Sequence, residues 1–350
     1  MEAVASEAPA SSEDRMLETL SRYGRATREA LQRYLQAQPA APYLDDLIAD
    51  YPSRGGKMLR PAICIANARV FGGGLETAVR CAAAVELLHN GLLIHDDIQD
   101  GSAMRRGRPT LHALHGAALA INAGDATIFT ALRTLVDGLR PLGSAAAAQV
   151  LEISTVMARE TAEGQALELG WRDHNVINLT DADYFRMALK KTAWMGMIWP
   201  AQLGLVVGSG GHASPERVMR FGYFLGVAFQ IEDDLRNLCV DPGYGKEMNG
   251  DLFEAKRTLM LIHVHRACSP AERARLDAFL AQARDERSAE DVRWLAGLME
   301  RLGSIRHGRA VAAAMAGAAA HEFGVAYGGL PPSPDHDFLE GLVAWIFERP

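Results

Sequence analysis

The sequence has no excess of basic residues, few cysteines and no long uninterrupted apolar run. Its 350 residues carry 36 Lys and Arg against 43 Asp and Glu, a formal charge of -7, which disfavours broad binding to nucleic acid. The four cysteines lie far apart without CxxC spacing, so neither a disulfide framework nor a zinc site is indicated. No stretch approaches the roughly 20 apolar residues of a membrane span, and no signal-peptide pattern begins the chain. We therefore expect a cytoplasmic protein with no membrane span and no nucleic-acid partner.

The alternation of apolar and polar residues that marks β-strands is also missing. Apolar residues instead recur every three or four positions, as at Leu17, Leu20 and Tyr23, which indicates helices along most of the chain. Clusters of Pro and Gly separate these helices, and no polar linker divides two domains. We predict an all-α fold, a single large helical bundle over residues 15–350 that follows a disordered tail at 1–14.

Two long apolar helices end in similar acidic segments, LLIHDDIQD at 92–100 and FQIEDDLRN at 229–237. Residues i and i+4 of a helix share a face and i+1 lies beside them, so each segment can gather its side-chain oxygens in a small volume. The first offers Asp96, Asp97 and Asp100. The second offers Asp233, Asp234 and the side-chain oxygen of Asn237. A single acidic pair is as often a solvated helix end, but its repetition on two helices favours a metal site.

The ligand atoms on offer are all hard oxygens, with no His or Cys at ligand spacing, which favours magnesium. Magnesium commonly binds through a few carboxylates together with substrate phosphates. Small basic groups that suit phosphate stand near loops, at Gly55-Gly56-Lys57 with Arg60 and at 105–108, RRGR. Each basic group alone is typical of a solvated loop. In combination with the acidic segments they indicate a site for a metal-bound diphosphate.

The chain resembles a known family in its ordered motifs. GGKMLRP, VELLHNGLLIHDDIQDGSAMRRGRPT, KKT at 190–192, and FQIEDDLRN followed by YGKEMNGDLFEAKRT closely resemble the trans-prenyl diphosphate synthases, and geranylgeranyl diphosphate synthases most of all. The resemblance covers about residues 40–266. It implies the isoprenoid synthase fold, an all-α bundle around a deep central cavity with the two aspartate-rich segments facing each other across its mouth. It also implies a prenyltransferase that joins an allylic prenyl diphosphate to isopentenyl diphosphate.

The resemblance assigns roles to individual residues. The magnesium ions, three in the family, would be held by Asp96, Asp97, Asp100, Asp233, Asp234 and Asn237, the last standing where many members have aspartate. The allylic diphosphate would contact Arg105, Lys191 and Lys256. The isopentenyl diphosphate group would contact Lys57, Arg60, His89 and Arg106. The polar groups near the developing cation would be Thr192 and Gln230.

The length of the product depends on side chains that precede the first acidic segment. Gly91 and Leu92 lie one turn before it, where many farnesyl diphosphate synthases carry an aromatic ring, and Leu88 lies about one turn deeper at 5.4 Å per turn. The missing ring leaves room for a longer tail. We expect geranylgeranyl diphosphate as the product, with farnesyl or geranylfarnesyl diphosphate as alternatives.

Other functions remain open at this point. A class I terpene cyclase also ionises an allylic diphosphate with magnesium but does not need isopentenyl diphosphate, so the basic residues assigned to that second substrate favour the synthase. A non-catalytic partner subunit would have no need of both acidic pairs. By analogy with the family, we also expect a homodimer.

Overall fold

A computed structural model describes residues 12–37, 40–238 and 249–348 of the chain. Within these ranges the chain is almost wholly helical, which confirms the predicted all-α fold. The described strands are two short segments, β1 (Met104–Arg105) and β2 (Arg108–Pro109), which pair antiparallel in the basic loop. The tail predicted at 1–14 falls largely outside the described residues, and the first helix begins at Ser12.

The α-helices follow one another through the described chain with short connections. They are α1 (Ser12–Gln36), α2 (Asp45–Ser53), α3 (Leu59–Val70), α4 (Leu75–Asp100), α5 (Leu111–His115), α6 (Ala117–Leu139), α7 (Gly143–Asp173), α8 (Asp181–Ala188), α9 (Trp199–Ser209), α10 (Met219–Leu238), α11 (Gly250–Phe253), α12 (Leu259–Ala267), α13 (Pro270–Leu280), α14 (Ala289–Arg301), α15 (Ser304–Tyr327) and α16 (Pro334–Glu348). Short 3-10 turns lie at Arg140–Leu142, Pro215–Val218 and Arg284–Glu286.

Helix α4 is a central element of the bundle and carries the first acidic segment at its C-terminal end. It begins after the glycines at 72–74 and ends at Gly101, whose φ of 62° is the left-handed conformation that commonly closes a helix. Among the described helices, α4 is the one long and apolar enough to cross a membrane by length and composition. Of its apolar window, 61% is buried inside the protein, where α4 packs along α3 and α6.

A π-helix, Leu189–Ile198, connects α8 to α9 and contains the KKT motif. It packs against α7 on one side and α10 on the other, so it lies between two of the long helices. π-Helical geometry is rare and is often found at functional sites, because the wider turn changes the direction of the side chains. Apolar spacing indicates helices along most of the chain but does not distinguish this π-helical form.

Two large apolar clusters fill the bundle. One is built around α3, α4, α9 and α16, and the other around α10, α12 and α14. Tyr223 and Met315 pack against both clusters, so the apolar interior is continuous at that point. Helix α10, which carries the second acidic segment, lies between the π-helix and α15.

Candidate active site

The first acidic segment occupies the last turn of α4, and its three aspartates do not point the same way. Consecutive helical residues are about 100° apart. Asp97 is fully buried and accepts hydrogen bonds from the hydroxyl of Tyr51 and from Arg105, whose Nε lies 2.9 Å from Oδ1. Asp96 and Asp100 share a different face. The structure therefore brings two of the three predicted carboxylates together and directs Asp97 toward Arg105.

The second acidic segment ends α10 and is arranged in a similar way. Asp234 is 5% exposed and accepts hydrogen bonds of 2.7 Å from the Tyr184 hydroxyl and from the Gln230 amide. Burial, with the nearby charge of Asp251, raises the pKa of Asp234 to about 8. Its neighbour Asp233 is less buried.

Asn237 makes a different contact from the predicted one. Its side-chain oxygen accepts a hydrogen bond of 3.0 Å from the backbone N–H of Asp251, and its carbonyl accepts one of 3.0 Å from the N–H of Asn249. The side chain is buried. Asn237 therefore attaches the segment that begins at Asn249 to the end of α10. This contact brings Asp251 beside the second acidic segment.

Two lysines lie among these carboxylates. The ammonium group of Lys191 contacts Glu168 and lies 3.7 Å from Asp96. That of Lys256 lies 3.7 Å from Asp100 and 3.0 Å from Glu254. Burial lowers the pKa of each ammonium, but the surrounding carboxylates outweigh it and raise the pKa of both lysines above the usual value. Both lysines therefore stay charged.

One face of α7 forms a further wall of the site, and its residues are not among those predicted from the sequence. Gln165 donates a hydrogen bond of 3.2 Å to Asp96, and Arg172 donates one of 3.1 Å to Asp100. Glu168 lies between them. Burial raises the pKa of Glu168, but the positive charges of Lys191 and Lys256 lower it by a larger amount. The net pKa shift is downward and the carboxylate stays ionised. The spacing of three and four residues was a signal in the sequence, since it places these polar groups on one face.

A second basic group lies beside α4. Arg60 Nη1 is 3.3 Å from His89 Nε2. The Nε atom of Arg60 is buried without a hydrogen-bond partner in the described structure. Burial, followed by the charge of Arg60, lowers the pKa of His89 well below its usual value. Because arginine only donates, Nε2 of the neutral ring accepts this bond. Buried Glu86 is the nearby counter-charge, and its attraction acts on both Arg60 and Arg106.

The glycines of the first basic motif let Arg106 pass close to the backbone. Arg106 donates to the carbonyl of Gly55, and a Cβ on Gly56 would lie 2.9 Å from its Nη2. Both glycines have φ in the left-handed range, at +81° and +140°. Lys57 is exposed at the edge of this group, and its ammonium lies 5.5 Å from the centre of a Trp345 ring.

The residues predicted to limit the product lie on two faces of α4. Leu88 and Leu92 are partly buried against the main core and share a face with Asp96. Gly91 lies instead against α6, where an added Cβ would be 2.8 Å from a side-chain carbon of Ile128 and 3.1 Å from the carbonyl of Gly124. The missing ring at Gly91 therefore permits close packing of two helices. Gly91 faces α6 in this structure and does not leave room for the tail.

The remaining predicted pair, Thr192 and Gln230, lies together. The hydroxyl of Thr192 donates to the side-chain oxygen of Gln230, whose amide nitrogen in turn donates to Asp234. This chain of hydrogen bonds joins the π-helix to the second acidic segment. Among the described residues, the site gathers carboxylates, the partly buried cations Arg105, Arg172, Lys191 and Lys256, and a separate basic group.

Comparison with known proteins gives consistent matches. The family model described as polyprenyl synthetase matches residues 41–299. The chain is 32% identical to the short chain isoprenyl diphosphate synthase of Methanothermobacter thermautotrophicus over 259 residues, which cover 74% of this chain and 77% of that protein. It is 36% identical over 221 residues to a geranylgeranyl diphosphate synthase of Sulfolobus acidocaldarius, covering 63% of this chain and 66% of that protein.

Among solved structures, the geranylgeranyl pyrophosphate synthetase from Pyrococcus horikoshii superposes with a TM-score of 0.82 at 29% identity. The superposition covers 95% of this chain and 99% of that one. With the ordered motifs and the match over most of its length, the chain belongs to the polyprenyl synthetase family.

Proposed function

We propose that this enzyme condenses an allylic prenyl diphosphate with isopentenyl diphosphate, with magnesium assistance, and releases all-trans geranylgeranyl diphosphate. The observation that carries the proposal is the arrangement of carboxylates around two lysines, Asp96 and Glu168 around Lys191 and Asp100 and Glu254 around Lys256. Carboxylates and cations alternate there, and each lysine is held by more than one acid. When a diphosphate binds with its metal ions, the carboxylates can bind the metal and the lysines can bind the diphosphate in place of their present ion pairs.

The donor set fits magnesium. The side chains that line the acidic ends offer carboxylate oxygens, and magnesium is typically bound by one or two carboxylates plus substrate phosphates. Asp96 and Asp100 would hold metal on one side of the diphosphate and Asp233 on the other, with three ions as in the family. When bound, magnesium neutralises the charge that develops on the departing diphosphate. The buried positions of Asp97 and Asp234 suit them to orient neighbouring groups.

The cationic side chains would bind the diphosphate oxygens that the metal ions do not coordinate. In the free enzyme Lys191, Lys256 and Arg105 each contact carboxylates, so their charges are already positioned. Preorganised charges of this kind stabilise a developing anion without a reorganisation cost during the reaction. Arg60 and Arg106 would bind the diphosphate of the second substrate. Within the part of the chain that the structure describes, the Nε of Arg60 is a buried donor without a hydrogen-bond partner, so it is available to an anion.

No nucleophile from the protein is needed. Departure of the diphosphate leaves an allylic cation, which the double bond of isopentenyl diphosphate attacks before a proton is lost. Thr192 and Gln230 place polar oxygens near the acidic end of α10, where they can face the positive charge. Water would trap the cation, so the apolar walls of the bundle protect it. The released diphosphate is the base for the final proton.

The product tail would run along the face of α4 that carries Asp96. Leu92 and Leu88 follow at successive turns on that face, and neither is completely buried in the core. The similarity to synthases named for geranylgeranyl diphosphate supports this product. Leu88 is then the residue that ends the space for the tail.

A second copy of the chain would cover an apolar surface on α6 and α7. Phe129 is 69% exposed, Val136 56% and Leu151 62%, and a cavity of about 630 Å³ lies between the two helices. Val136 and Leu151 both line this cavity, and exposed apolar patches are typical of protein interfaces. We propose a homodimer through this face. Light scattering should show a dimer for the wild type and a monomer for Val136→Glu/Leu151→Glu; a wild-type monomer would contradict the proposal.

The metal-site assignment is tested by Asp96→Ala, with Glu76→Ala as a control on the same helix. Asp96 is partly buried in the ion-pair arrangement, whereas the side chain of Glu76 is exposed and pairs with Arg80 on the surface. Asp96→Ala should abolish magnesium-dependent condensation and keep the helical circular dichroism spectrum. Glu76→Ala should retain full activity. An active Asp96→Ala enzyme would contradict the metal site.

A further inference from the structure

Each acidic pair contains one aspartate that accepts a hydrogen bond from a buried tyrosine. Tyr51 of α2 bonds Asp97, and Tyr184 of α8 bonds Asp234. The two tyrosines come from different helices, 46 and 50 residues from their partners in the sequence. Both are almost completely buried, at 1% and 0% exposure. The same device therefore occurs twice in one site.

The first tyrosine acts on a cation of the site. Asp97 accepts from Tyr51 and from Arg105, so its carboxylate links α2 to the basic loop. Tyr51 itself is fixed by the guanidinium of Arg54, which lies 4.4 Å above its ring. Without the hydroxyl, the Asp97 carboxylate would lose one of its two described partners. Arg105 would then lose the geometry that directs it toward Asp96, which lies 3.6 Å away.

The second tyrosine acts on the polar groups beside the proposed cation. Tyr184 and Gln230 donate to different oxygens of Asp234. Because the Gln230 amide nitrogen donates to Asp234, the Gln230 side-chain oxygen faces Thr192 and accepts a hydrogen bond from its hydroxyl. The hydroxyl oxygen of Thr192 then presents lone pairs and not a proton to its surroundings. Tyr184 thus sets the orientation of Thr192 through two intermediate side chains.

We propose that Tyr51 and Tyr184 are positioning residues that make one aspartate of each pair an anchor and leave the other as the metal ligand. This inference rests on the proposed function of the site. Tyr51 orients the side chain of Arg105 through Asp97. Tyr184 orients the hydroxyl of Thr192 through Asp234 and Gln230. Each pair then gives one ligand on the exposed face and one fixed acceptor inside the protein.

The test uses Tyr51→Phe and Tyr184→Phe, which each remove a single hydroxyl group, with Tyr327→Phe as a matched control. Tyr327 is also fully buried, and its hydroxyl donates a 2.7 Å hydrogen bond to Asn67 in the apolar core. All three variants lose a buried hydrogen bond, so a merely structural role predicts similar losses of thermal stability. Magnesium binding is measured calorimetrically in the presence of inorganic diphosphate, and steady-state kinetics are measured separately.

Removing a group that orients metal-site ligands typically costs about 10- to 100-fold in metal affinity or activity. We expect a loss of that size in metal affinity or activity for Tyr51→Phe and Tyr184→Phe, and no such loss for Tyr327→Phe. Tyr51→Phe should raise the allylic KM, because it disturbs Arg105. Tyr184→Phe should lower kcat at an unchanged allylic KM, because it disturbs Thr192.

Two results would overturn the inference. One is magnesium binding and kinetics in both site variants that match those of the Tyr327→Phe control. The other is a wild type that binds no magnesium with diphosphate, which would also contradict the proposed function. A wild type that binds magnesium but forms no prenyl product would contradict only the proposed function, since the binding measurement needs no turnover.

Discussion

Replacing Gly164 by alanine should displace Lys191, the lysine proposed to bind the allylic diphosphate. Gly164 lies where α7 crosses the π-helix, and an added Cβ would be 2.6 Å from both the carbonyl carbon of Lys190 and the Cα of Lys191. Nonbonded carbons rest about 3.5–4.0 Å apart, so the two backbones must separate by about 1 Å. A misplacement of about 1 Å can lower turnover by about 100-fold. We expect a loss of that order in kcat/KM for the allylic substrate.

Gly170 on the same helix provides the matched control. A Cβ there would meet nothing within 4 Å, and Gly→Ala inside an unhindered helix is worth about 1 kcal/mol. Overpacking at Gly164 costs about 1–3 kcal/mol, so the two variants should differ by that amount in unfolding free energy. Denaturant unfolding measures the difference, and initial rates with varied allylic diphosphate measure the displacement. A Gly164→Ala enzyme as stable and as active as Gly170→Ala would refute the reasoning.

Three further perturbations follow from the geometry. Leu88→Ala should lengthen the product in radiolabelled assays, whereas Leu87→Ala, on the neighbouring buried face, should cost about 2–5 kcal/mol of stability without changing the product; unchanged length for Leu88→Ala would remove it as the limit. Glu168→Gln should raise the allylic KM and the exposed control Glu163→Gln should not; equal values would show that Glu168 does not position the lysines. The pKa of Asp234 rises from 3.8 to about 8 on folding, so the metal-free protein should lose stability as the pH rises from about 4 to 8. Asp234→Asn should lose less stability over this range in thermal scans, and an equal loss would contradict the raised pKa.

The helices and both acidic segments could be predicted from the sequence because their signals are local. Apolar spacing of three and four residues identifies helices, and α4 and α10 end in their acidic pairs as expected. Lys191 and Lys256, which the motifs predict as contacts of the allylic diphosphate, lie beside carboxylates of the site. These features depend on residues that are neighbours in the chain or on one helix face.

The structure differs from the sequence-based predictions where helices from distant parts of the chain meet. A buried tyrosine such as Tyr51 resembles any core aromatic in the sequence, and its bond to Asp97 exists only because α2 packs beside the end of α4. The direction of Asp97 could not be found from spacing alone. Gly91 was predicted to open space, but a glycine equally permits close approach, and only the position of α6 decides between the two.

The central claim is magnesium-dependent condensation by this site, and product analysis tests it most directly. The enzyme is incubated with radiolabelled isopentenyl diphosphate and farnesyl or geranyl diphosphate, with magnesium or with excess chelator. We predict labelled all-trans geranylgeranyl diphosphate with magnesium and no product with chelator. A cyclic hydrocarbon without incorporated label, or condensation that persists in chelator, would contradict the account.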